Sequence, residues 1–107
     1  HFIDIQLKMK EGYCMKEDWL IVLSNSDNAY VVVYRFHGSE DELKEKLMWL
    51  ANNSDLIKSG DEIYMHDEVG YDSEMNTYYV VVTNVDEGID DVYTAKRLHD
   101  VKDISSL

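Results

Sequence analysis

Apolar positions along this chain recur with two different periods. Over residues 2–10, FIDIQLKMK, the apolar Phe2, Ile3, Ile5, Leu7 and Met9 are interleaved with polar neighbours, the two-residue period of a half-buried strand. DWLIVLS and AYVVVYRF are β-branched and aromatic runs separated by the turn cluster NSDN, which predicts an antiparallel hairpin. In GSEDELKEKLMWLANN the period lengthens. Leu43, Leu47, Leu50 and Ala51 recur at helical spacing, and Ser39 with Glu42 three residues on makes a capping box. A helix is therefore expected over residues 39–53, with Trp19 and Trp49 both in the core, Trp49 at an edge of the helix–sheet contact.

EIYMHDE and TYYVVVTNV predict two more strands, with GYDSEMN as the loop between them. The last segment, IDDVYTAKRLHDVKDI, has acids first and bases later, which suits a helix dipole. Its Val92, Ala95, Leu98 and Val101 then read as one face of a C-terminal helix. The expected fold is a single α+β domain over residues 1–107, with an antiparallel β-sheet of about five strands and one clear helix, residues 90–104 being open between a second helix and a strand.

Charge changes the picture more than any motif. The chain carries 22 acids against 10 bases, a net charge of −12. Between Lys58 and Lys96 stand ten of those acids and not one Lys or Arg, leaving twelve acids to match all ten bases elsewhere. In the predicted helix Glu40 precedes Lys44, and Glu42 precedes Lys46, by four residues, so acids there have local partners. The acids of residues 61–91 have none.

If residues 62–68 and 77–85 pair as a hairpin, Asp67, Glu68, Asp72 and Glu74 gather at its tip, and Asp61 and Glu62 come beside Asp86, Glu87, Asp90 and Asp91 at its base. A strand rise of about 3.3 Å per residue separates the two groups by roughly 20 Å. Tyr64, Tyr71, Tyr78 and Tyr79 lie between them. Carboxylates repel by ~1 kcal/mol per close pair even in water, so concentrating them implies a purpose.

Three readings follow. The first is a small acidic inhibitor in which carboxylates stand in for phosphates and block the nucleic-acid-binding surface of a basic target, such as a nuclease, restriction enzyme or RNA-guided effector. Tyr64, Tyr71 and Tyr78 would be its anchors. The second is a protein-interaction or regulatory domain whose acidity is solvated surface. The third is an acidic calcium binder using the base cluster around Asp86, Glu87, Asp90 and Asp91.

Other chemistry is excluded by composition. Direct binding to nucleic acid or to an anionic membrane needs clustered Lys and Arg, which are missing. DSEMNT starts like a calcium loop at Asp72, Glu74 and Asn76, but Thr77 stands where Gly is required and Thr83 where Glu is required. His37, His66 and His99 with the lone Cys14 offer no zinc-ligand spacing. No Gly-rich phosphate loop or nucleophile elbow is present, so neither an enzyme nor a cofactor is expected. A lone cysteine, no apolar run of the ~20 residues needed to span a bilayer and no secretory leader pattern make the cytoplasm the expected compartment. The absence of Pro and scarcity of Ala and Arg suggest an AT-rich genome, and with the acidity and small size a phage or mobile-element counter-defence setting in a host cytoplasm.

Overall fold

A computed structural model describes residues 15–106 of the chain; the strand expected over residues 2–10, and Cys14, lie outside the described residues. Among the described residues the fold is a small α+β domain, a mostly antiparallel six-stranded sheet with one helix on one face. In chain order the elements are β1 (Glu17–Asn25), β2 (Val31–Gly38), α1 (Glu40–Asn52), β3 (Ile63–Met65), β4 (Gly70–Asp72), β5 (Thr77–Asn84), β6 (Ile89–Arg97) and a 3₁₀ turn (Leu98–Asp100). Across the sheet the order is β2-β1-β6-β5-β3, and β4 also pairs with β5.

The β1–β2 hairpin forms as the apolar runs predict, in register from Glu17 opposite Gly38 to Ser24 opposite Val31. Trp19, Ile21 and Leu23 of β1 point to the helix face and are buried, while Leu20 and Val22 point to the other face. Helix α1 also follows its sequence signature. Ser39 accepts a hydrogen bond from the Glu42 backbone N–H, and the Glu42 carboxylate accepts one from the Ser39 N–H, so the capping box is complete. Leu43, Leu47 and Ala51, four residues apart, are fully buried against Val80, Val82, Tyr93 and Ala95. Trp19 closes the core. Its indole N–H donates to the Gly38 carbonyl at 3.0 Å, its ring meets Tyr78 edge-on, and Arg97 lies 4.6 Å above it.

Three expectations need correction. Residues 89–97 are a strand and not a helix. They sit between β1 and β5 with ladder partners on both sides, and Asp91, Tyr93 and Ala95 point inward at a period of two. A buried aspartate in the first inward position masked that alternation. GYDSEMN is also not all loop, because Gly70–Asp72 pair with Thr77–Tyr79. Trp49 is not in the core: it stands 56% exposed on α1, with Lys46 5.0 Å from its ring.

The edge formed by β3 and β4 is interrupted. Met65 lies opposite Val82 and Gly70 opposite Tyr79, so four residues, 66–69, face two, 80 and 81. This is a bulge in an edge strand, and it throws Asp67 and Glu68 out of the sheet.

The capping box gives the first expected outcome. Replacing Ser39 with Ala removes the side-chain acceptor at a buried helix start and should lower stability by about 1 kcal/mol. Denaturant unfolding measures this, and an unchanged midpoint would show that the cap contributes nothing.

Candidate functional site

The ten acids divide into groups with different chemistry. At the base, five of the six carboxylates accept hydrogen bonds from within the fold: Asp61 from Asn84, Asp86 from the Glu62 backbone, Glu87 from Lys58, Asp90 from Thr83, and Asp91 from Asn25 and Ser54. Partners at helical spacing are missing from this stretch, and the fold brings donors from farther along the chain in their place. Asp91 is only 2% exposed. Its two oxygens take the Asn25 amide and the Ser54 hydroxyl, each at 2.7 Å.

Asn84, wholly buried, donates to both the Leu56 carbonyl and Asp61, while its own oxygen accepts from the Glu87 backbone. The base is thus a joint that ties three connections together: the turn after β1, the segment from α1 to β3, and the β5–β6 turn. Its oxygens are committed to different donors. Among the described residues no group of three or more His, Cys, Asp or Glu is arranged to hold a metal ion.

The four tip acids do not form one patch. Asp72 begins the β4–β5 turn, accepting from the backbone of Glu74 and Met75, and Asn76 completes the turn with a positive φ. Lys96 donates to the Met75 carbonyl beneath it. Asp67 and Glu68 instead ride the bulge on the helix side. With Lys44, Glu45, Met48, Trp49 and Val69 they line a groove of about 560 Å³. Among the described residues neither carboxylate accepts a hydrogen bond or sits within ion-pair distance of a cation.

The tyrosines separate too. Tyr78 is 5% exposed, held between Trp19 and Tyr71, so its ring is closed to a partner. Tyr64 and Tyr71 are exposed, but Tyr64 pairs with Thr83 on the outer face while Tyr71 pairs with Tyr78 on the helix face. One flat partner surface cannot use both. Tyr64, His66 and Tyr79 make an aromatic row on the outer face, with ring centroids 6.0 Å apart at each step.

The surface that remains combines Asp67, Glu68, Glu45 and the exposed Trp49, with Met48 and Val69 as its apolar floor. Sequence reasoning found the two bulge acids but assigned Trp49 to the core. The one available signal was its place beside the Leu43–Leu47–Leu50 stripe, off the buried face.

The base joint has a pH consequence. Burial, with Asp91 nearby, pushes the Tyr93 hydroxyl up to about 12. Between the ordinary tyrosine value near 10 and that value, the unfolded chain releases a proton that the folded chain keeps. Stability should therefore fall with rising pH across this window by up to about 1.4 kcal/mol per unit from this group. Urea unfolding from pH 9 to 12 should show a shallower decline for Tyr93→Phe than for the parent, and equal slopes would refute the assignment. Separately, Asp91→Ala orphans two buried donors and should cost about 2–4 kcal/mol.

No protein-family model, curated protein or solved structure matches this chain.

Proposed function

We propose that this chain is a small, non-catalytic acidic inhibitor that occupies the basic, nucleic-acid-binding surface of a partner protein. The observation that carries the reading is the pair Asp67 and Glu68, without hydrogen-bond or ion-pair partners among the described residues, on a bulge beside the exposed Trp49. A partner's Arg or Lys that normally meets phosphate would meet these carboxylates, and Arg can do so through two parallel hydrogen bonds. An exposed Trp supplies the anchor that charge alone does not, since Trp and Arg are enriched where binding energy concentrates. Acids of the base, already satisfied by the fold, contribute long-range attraction and faster association. A phage or mobile-element counter-defence protein acting on a nuclease or RNA-guided effector is the setting that this chemistry suits.

The commitment of five base carboxylates to internal hydrogen bonds favours a second reading. Here the chain is an interaction domain whose contact is aromatic, centred on Trp49, with the acidity serving solvation.

One comparison separates the two. Asp67→Asn with Glu68→Gln removes two charges at the groove, and Asp27→Asn with Asp55→Asn removes two exposed charges elsewhere. Immobilised chain should retain a basic nucleic-acid-binding protein that duplex DNA or guide RNA releases. The groove variant should lose at least tenfold in affinity, the control should lose little, and both should melt no lower than the parent. Equal losses would reduce the acids to bulk charge. Full retention by the groove variant, with loss on Trp49→Ala, would establish the aromatic reading in place of mimicry.

A further inference from the structure

Trp19 shows what this fold does with an arginine. Arg97 lies 4.6 Å above the Trp19 ring, and its Nε donates to both carboxylate oxygens of Glu17, at 3.1 and 3.2 Å. Indole and carboxylate act on one guanidinium, whose flat, weakly hydrated shape suits both contacts at once. The groove at Asp67 and Glu68 has the same two kinds of acceptor and no arginine. Trp49 stands 56% exposed between two grooves. One holds Phe36, Glu42 and Lys46, and the Lys46 ammonium lies 5.0 Å from the Trp49 ring. The other holds Asp67 and Glu68. Its one cation among the described residues, Lys44, lies 5.6 Å from the Tyr78 ring and forms no ion pair with either acid.

We propose that this groove receives one arginine side chain of the partner, its guanidinium against the Trp49 ring and its N–H groups on Asp67 and Glu68. The inference rests on the contact surface of the inhibitor reading and narrows it to a single residue type.

Charge selects a cation, because Glu45, Asp67 and Glu68 outnumber Lys44 among the residues lining the groove. Shape and hydration then select arginine over lysine. A guanidinium carries its donors in a flat fork, so it can reach two carboxylates while its face meets an aromatic ring. An ammonium is compact and strongly hydrated, and gains less from the indole. Met48 and Val69, also in the groove, give the apolar stem of the incoming side chain something to cover. Lys44 opposes any incoming cation and so holds the affinity down.

The probe is a short capped peptide of glycine and serine with one central arginine, beside twins carrying lysine or citrulline at that place. NMR of the indole N–H groups of the full chain, at about 0.05 M salt, reads the binding. Trp49 is exposed, whereas Trp19 is buried and hydrogen-bonded to Gly38, so Trp19 is the internal control. The arginine peptide should shift the Trp49 signal saturably and leave Trp19 unmoved. The lysine twin should bind at least about fivefold more weakly, and the neutral citrulline twin should not bind. Asp67→Asn with Glu68→Gln should weaken the arginine peptide at least about tenfold, and Lys44→Gln should tighten it about twofold. The proposal is overturned by the absence of a saturable shift at Trp49, by equal binding of the arginine and lysine twins, or by full binding to the variant lacking both charges. The result is separable from that of the capture experiment. Arginine selectivity without retention of a nucleic-acid-binding protein keeps the pocket and removes the inhibitor reading. Retention without arginine selectivity keeps the inhibitor reading and removes the pocket.

Discussion

The buried carboxylate of Asp91 is the constraint around which the rest is arranged. It occupies the first inward position of the central strand β6, in line with Tyr93 and Ala95. A charge there is tolerable only if donors surround it. Asn25 at the end of β1 and Ser54 just after α1 provide them. To do so, the turn after β1 must close and the helix must end where it does. The sheet, the helix and the loop linking them are positioned by one satisfied group. Asn84 repeats the device one strand over, bridging Leu56, Asp61 and Glu87.

This arrangement divides the negative charge by role. At one end of the β5 hairpin five of the six carboxylates are structural, bound to donors that the fold supplies. Along the bulged edge they are idle, facing solvent beside an exposed indole. Net charge alone makes no such distinction. Two acids of the same type and exposure differ in availability because one has spent its lone pairs and the other has not. The tyrosines divide in the same way, with Tyr78 absorbed into the core and Tyr64 and Tyr71 left on opposite faces.

Features governed by neighbours in the sequence were legible there. The Ser39–Glu42 box and the Leu43–Leu47–Ala51 spacing located α1, and the valine-rich runs around NSDN located the first hairpin. The misses share a cause, because each depended on a partner far along the chain. Asp91 looks like a solvent residue until Asn25, 66 positions away, is folded against it, and with Asp91 misread the alternation of β6 disappeared. Glu87 looks unpaired until Lys58, 29 positions away, arrives. Three-residue β4 is too short for any period to show. Of the candidate site, the acids were visible as charge. Trp49 was not, because residue type says nothing about which side of a helix meets water.

The bulge at residues 66–69 has a consequence for how such a molecule can diversify. Because these four residues carry no full share of the ladder, β3 and β4 each keep their own register against β5 independently of the length between them. An insertion or deletion there alters how far Asp67 and Glu68 project while leaving the sheet, the capped helix and the Asp91 joint untouched. Reach is separated from stability, so the surface around Asp67 and Glu68 is free to change without the fold being renegotiated.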